Sequence, residues 1–183
     1  MTAYPQPMRL RFTVDEFYKM FELGILSEKG NVELIEGEIF EQILTQEDEK
    51  RFRSAAEILS KRLEKEAIVR VKSPLRISSF SEFLPHVSVL KFCYDFYEKR
   101  LQQSADVLLT IEFTPLKYNY TDHPKALWYA AAEIPEIWFA NAEAGFIEVC
   151  TNQLRQIRIF RRGDTVRSES VPNLQIEVDK ILG

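Results

Sequence analysis

The sequence predicts an α/β (α+β) fold with an antiparallel extension at its C-terminus, and three observations carry that reading. From Val107 to Asn141, VLLTIEFTPLKYNYTDHPKALWYAAAEIPEIWFAN, a strand pattern gives way to a helical one and then returns to strand. Upstream, VELIEGEIF (Val32 to Phe40) reads as two short strands turned at Glu36 and Gly37, since glycine admits the positive φ that hairpin turns need. Downstream, Phe146 to Cys150, Leu154 to Phe160 and Thr165 to Val171 alternate like strands, separated by turns at Ala144-Gly145, Asn152 and Gly163-Asp164.

Composition sets the frame for these elements. A chain of 183 residues with 45% apolar content can bury one sizeable core, and no composition shift marks a second domain, so residues 1–183 read as one. Thirteen Phe and six Gly, without low-complexity tracts, exclude disorder. The formal charge of −4 does not advertise nucleic-acid binding, which would need clustered lysine and arginine. Cys93 and Cys150 lack metal-ligand spacing and are expected as reduced thiols. The N-terminus lacks the apolar centre of a signal peptide, and no apolar run approaches the ~18 residues of a membrane span, so a soluble, cytoplasmic protein is expected.

Taken in order, Thr13 and Glu16 form a capping box that starts a helix through Met20, ended by Gly24, with Phe17, Met20, Phe21 and Leu23 near its core face. In the hairpin, alternation places Glu33 and Glu38 on one face. If Ile35 opposes Glu38, then Glu33 opposes Phe40, and the two carboxylates are diagonal neighbours ~7 Å apart. Such a pair faces either solvent or a cation. Gln46 to Ala67 is an amphipathic helix with Phe52, Ala55, Ala56, Leu59 and Leu63 as its apolar stripe and mixed charges opposite, which suits solvent better than a phosphate track. Ile68 to Ile77 alternates like one strand, closed by Ser78 and Ser79. Pro85 to Phe92 is a short β-branched strand, and a lone histidine such as His86 at its start is more often a hydrogen-bonded core or surface imidazole than a metal ligand. Tyr94 to Ala105 is polar, a helix or loop. In the C-terminal strands Arg155, Arg158, Arg161, Arg162 and Arg167 form the most basic surface, a DNA-backbone face or a solvated one.

The central segment holds the residues best placed for chemistry. Val107 to Phe113 reads as a strand covered on both faces, yet it contains Glu112. A carboxylate there needs either a cationic or amide partner or a metal ion. Thr121 or Asp122 caps the next helix, Pro124 fits its first turn, and Lys125 to Glu133 continues until Pro135 forbids it. Lys125 thus sits near the positive end of its own helix. That is mildly unfavourable unless carboxylates or a phosphate lie near; pairing with Asp122 at the surface is the plainer alternative.

The TVDEF helix, VELIEGEIF, PHVSV, LLTIEFTP and DHPKALWYAAAEIPEIWFAN resemble, in order and spacing, the Uma2 family of putative restriction endonucleases over nearly the whole chain. That family typically reads YELIDGE, PDLSVV, VVEVLSPST, then a K-x-x-x-Y helix ending in GVPEYWIVD. The resemblance implies the PD-(D/E)xK nuclease fold, a restriction-endonuclease-like mixed sheet flanked by helices. It implies that Glu112 and Lys125 are catalytic, and that Glu112, His86, Glu38 and Glu33 surround a divalent cation, Mg²⁺ or Mn²⁺. Hard oxygen ligands suit such an ion, which would polarise a phosphodiester while the lysine stabilises developing charge.

One departure changes the implied function. Where the family carries the aspartate of its PD motif this chain has Pro85-His86, and a neutral imidazole suits Zn²⁺ or Mn²⁺ better than Mg²⁺. Thr114 and Asn141 also depart from the pattern. The resemblance therefore implies a degenerate member, weak or inactive as a Mg²⁺-dependent nuclease and acting as a binding or regulatory module, with DNA and a second copy in a homodimer as its candidate partners. An active endonuclease with a modified site is the alternative. A domain unrelated to nucleic acid would show no convergence of Glu112, Lys125 and the hairpin carboxylates.

Overall fold

A computed structural model describes residues 8–26, 30–114 and 125–183, and local signals account for most element boundaries. Thr13 opens α1 (Val14–Glu22) through the expected capping box: the Glu16 amide donates to Thr13 Oγ1, and the Glu16 carboxylate accepts the Thr13 N–H at 2.8 Å. Phe17 of that helix is buried, whereas Leu23 turns outward. Strands β1 (Val32–Ile35) and β2 (Glu38–Glu41) form the hairpin, with Glu36 and Gly37 at φ of 52° and 79°. Two successive positive φ values match the right-handed strand twist. The register is the expected one, Glu33 opposite Phe40 and Ile35 opposite Glu38.

Helix α2 (Gln46–Arg62) has its own capping box, Thr45 with Asp48, and buries Phe52, Ala55, Ala56 and Leu59, with Leu63 at its C-cap. It stops short of Ala67. Lys65 adopts a positive φ, and the chain turns directly into β3 (Ala67–Val71). The stretch from Ile68 to Ile77 is not one strand either. Lys72 takes a positive φ and Pro74 can donate no ladder hydrogen bond, so β3 ends and β4 (Leu75–Ser78) begins in a different sheet.

The chain continues through β5 (Ser81–Phe83), β6 (Val87–Lys91), β7 (Gln102–Gln103), a 3-10 turn at Ser104–Asp106 and β8 (Val107–Phe113). After residues outside the described set come α3 (Ala126–Ala131), β9 (Glu136–Asn141), β10 (Phe146–Thr151), β11 (Gln156–Arg161), β12 (Thr165–Arg167), β13 (Gln175–Glu177) and α4 (Val178–Leu182). Helix α3 is shorter than the expected Lys125 to Glu133: Lys125 is its N-cap, and Glu133 already has positive φ ahead of Pro135. The expected caps Thr121 and Asp122, with Pro124, lie outside the described residues.

These strands build a six-stranded mixed sheet, β11-β10-β9-β8-β6-β3, in which β8 and β9 run parallel and the other pairs antiparallel. The antiparallel C-terminal strands β10 and β11 extend this same sheet. A five-stranded sheet, β2-β1-β5-β4-β7, and the pair β12-β13 complete the strands. One face of the large sheet, including Val89, Leu109, Ile111, Trp138 and Val149, packs against α2 and α4. The other, including Leu90, Ile137 and Phe139, packs with Tyr129 of α3 and with Leu75 and Phe83 of the smaller sheet. Such double coverage explains the near-continuous apolar runs of β8 and β9. Among the described residues no helix is long and apolar enough to cross a membrane.

Candidate functional site

Alternation along β8 sends Ile111 to the α2 side and Glu112 to the α3 side, where the smaller sheet closes over it. Glu112 is fully buried, and Glu33 on β1 is only 3% exposed. Both carboxylates converge on one ammonium group. Lys125 Nζ lies 2.6 Å from Glu33 Oε1 and 3.3 Å from Glu112 Oε1, so the lysine pairs with the hairpin and the central strand together.

Backbone and phenol groups complete the cluster. Tyr129, four residues after Lys125 on the same face of α3, donates its hydroxyl to Glu112 Oε1 at 2.5 Å. The Leu84 amide donates to Glu33 Oε1 at 2.6 Å, and the Leu84 carbonyl accepts from Lys125 at 3.4 Å. Burial pushes the Glu33 carboxyl above its ordinary value, against the opposing pull of Lys125. Burial also works against the Lys125 charge, yet Glu112 and Glu33 together outweigh it and hold the ammonium above its ordinary range. For Tyr129, burial and then the charges of Glu112 and Glu33 keep the phenol protonated well beyond its usual value.

His86 stands between this cluster and solvent. Its ring stacks on Phe52, with centroids 4.2 Å apart and planes 11° from parallel. Nδ1 lies 3.0 Å from Glu112 Oε2, and it also receives the Phe113 N–H at 2.9 Å. An imidazole nitrogen that accepts an amide hydrogen has no proton of its own to give. The amide hydrogen is directed at Nδ1, so the approach of Glu112 is not a salt bridge through that nitrogen. The outer edge of His86 faces a cleft of about 470 Å³ lined also by Thr45, Asp48, Arg51, Phe52 and Thr114.

Glu33, Glu112, Lys125 and His86 are thus brought together, whereas Glu38 is not part of the group. Glu38 shares the face of Glu33 by register, but lies beside the turn, where it ion-pairs with Arg9 at 2.9 Å. Among the described residues, no set of three or more His, Cys, Asp or Glu side chains is arranged to hold a metal ion. Of the C-terminal arginines, Arg158 pairs with Glu169 at 2.7 Å and Arg162 with Asp179 at 2.9 Å, which partly neutralises that surface. Both cysteines are free thiols, and burial pushes Cys150 up to about 12.

Sequence reasoning on individual residues missed Tyr129 and Leu84. The four-residue spacing from Lys125 was a usable signal for Tyr129. Leu84 acts through its backbone, which no side-chain pattern reveals.

Comparison with known proteins bears on this arrangement. A family model described as "Uma2: Putative restriction endonuclease" matches residues 14–179. A crystal structure of a putative nuclease belonging to DUF820 from Anabaena variabilis is similar, with a TM-score of 0.70 at 16% identity, covering 93% of this chain and 97% of that one. At that identity the likeness speaks to the fold. None of the curated proteins compared matches the chain.

Proposed function

From the premise that the chain belongs to the Uma2 family of putative restriction endonucleases, we propose that it is a DNA-binding member whose buried cluster does not cut with Mg²⁺ as arranged, serving as a binding or regulatory module. The observation that carries this reading is the place of Lys125 Nζ, 2.6 Å from Glu33 Oε1 and 3.3 Å from Glu112 Oε1. A Mg²⁺ ion held by those two carboxylates would need oxygens at about 2.1 Å around it, in the space the ammonium takes.

The donor set therefore does not fit Mg²⁺. Two carboxylates and one lysine leave a single net negative charge when all are ionised, and His86 adds none where the family has an aspartate. What these residues do is structural and electrostatic: Tyr129 and Lys125 fix the Glu112 carboxylate, Glu33 ties the hairpin to α3, and His86 closes the cluster towards the cleft.

The alternative of an active endonuclease is favoured by one observation, the position of His86 at the cleft wall beside Glu112, because imidazole suits Mn²⁺ better than Mg²⁺. Calorimetry with Mg²⁺ and Mn²⁺, plasmid nicking and a gel-shift assay separate the two readings. The expected result is DNA binding without nicking, and a rise in Mg²⁺ affinity in His86→Asp, which restores a carboxylate. Nicking by the wild type that disappears in both Glu112→Ala and His86→Asp would sink the proposal and make His86 a working catalytic residue.

A further inference from the structure

A second groove, of about 400 Å³, opens where β3 leaves the large sheet, lined by Arg70, Lys72, Ser73, Phe96, Arg100 and Gln102 among others. Three cations and no carboxylate line it. Its floor is continuous with the strand end that carries the candidate site. The Lys72 amide donates to the carbonyls of Pro85 at 3.1 Å and His86 at 3.3 Å, and Val71 pairs with Val87. Strands β3 and β8 are both antiparallel to β6, so their C-terminal ends, with Lys72 and Glu112, lie at the same end of the sheet.

The cations differ in how they are held. Arg100 makes a bidentate pair with Asp106 at 2.6 and 2.7 Å while its guanidinium lies 5.0 Å from the Tyr97 ring centre. Lys72 meets Glu49 at 2.9 Å. Arg70 instead donates to a neutral acceptor, the Phe96 carbonyl, at 2.8 Å, so its charge is not cancelled by a carboxylate among the described residues. Phe96 and Tyr97 are consecutive residues at φ of 48° and 57°, a conformation uncommon for bulky side chains, and Phe96 is 48% exposed. Gln102 is only 6% exposed; its Nε2 donates to Ser73 Oγ, and its Oε1 has no hydrogen-bond partner among the described residues.

We propose that this groove binds a single-stranded nucleic-acid segment, with phosphates at Arg70, Lys72 and Arg100 and a base stacked on Phe96. The inference rests on the nucleic-acid reading above and assigns it a surface. Cations that track a backbone beside an aromatic platform are what sequence-tolerant single-strand binding requires. A groove of this volume takes a nucleotide-sized group, whereas a duplex keeps its bases stacked inside and offers no ring to Phe96.

Fluorescence anisotropy with a labelled oligothymidylate of about ten nucleotides, and with a duplex of equal length, tests this at several salt concentrations. Wild type should bind the single strand more tightly than the duplex. Arg70→Ala should weaken single-strand binding and reduce the slope of log affinity against log salt by about 0.7, the value for one lost phosphate contact. Phe96→Ala should weaken it about tenfold and leave the slope unchanged. Arg70→Lys, which retains the charge, should recover much of the affinity, and melting curves confirm that each variant is folded. If DNA binds and the Arg70 and Phe96 variants bind as well as wild type, or if the duplex is preferred, the groove assignment is wrong while the DNA-binding reading stands. If neither DNA binds at low salt, both fall.

Discussion

Lys125 is the cation on which two buried carboxylates depend, and removing it is the sharpest residue-scale test. Lys125→Ala leaves Glu33 and Glu112 without the cation they share, and losing one partner of a buried ion pair costs about 3–5 kcal/mol. Because burial already raises the Glu33 carboxyl, this loss should shrink as pH falls and Glu33 takes up a proton. A urea-unfolding series from neutral to acid pH with a constant difference between wild type and variant would contradict that account. In the wild type the sign runs the other way at high pH. The folded Lys125 is held above its ordinary 10.5, so its contribution is complete below that value and is lost as pH rises beyond it.

At the scale of elements, the hairpin turn positions Glu33 and leaves little room for change. A Cβ on Gly37 would lie 2.6 Å from Arg11 Cβ and 2.9 Å from the Phe12 nitrogen, in addition to the strain of φ +79°. Gly163 has an equally left-handed φ of +89°, but nothing within 4 Å. Gly37→Ala should therefore destabilise by more than about 1 kcal/mol and by more than Gly163→Ala, which bears the backbone strain alone. Equal melting temperatures for the two variants would refute the steric argument. Strand β9 shows a different device. Glu136 is fully buried and accepts from Trp138 Nε1 at 2.6 Å, and from Ser168 Oγ and the amides of Glu169 and Ser170 at 2.8 Å each. One carboxylate thus pins the chain after β12 to the central sheet. Glu136→Gln turns one acceptor into a donor facing other donors, and a loss of roughly 2–3 kcal/mol is expected in chemical denaturation.

At the scale of the molecule, the candidate site exists only where the two sheets meet. Glu33 belongs to the smaller sheet, His86 and Glu112 to the larger, and Lys125 and Tyr129 to α3 between them. Unfolding should accordingly be one transition. Leu34→Ala, at a fully buried position on β1, should lower stability by about 2–5 kcal/mol. It should shift the transition equally by far-UV circular dichroism and by tryptophan fluorescence, to which Trp138 in the large-sheet core and Trp128 on the other face both contribute. An earlier transition by circular dichroism alone would mean that the smaller sheet unfolds as a separate unit.

The sequence by itself determined what depends on neighbours a few residues apart. The capping residue Thr13 with its reciprocal carboxylate, the turn at Glu36 and Gly37, the hairpin register, the buried stripe of α2 and the covered strand around Glu112 all follow from local hydrogen bonding and side-chain period. Alternation says which face a residue points to, and nothing about what stands opposite. That is why Glu33 and Glu38 could not be told apart until the packing of β1 against α3 gave one of them Lys125 and left the other with Arg9. It is also why Ile68 to Ile77 reads as a single strand: its alternation continues across Lys72 to Pro74, while its two halves serve different sheets. The partners of Lys125 and the groove between Arg70 and Gln102 were decided by tertiary structure alone. They join segments far apart in the chain, and such contacts form only once the hydrophobic burial of both sheet faces has brought those segments together.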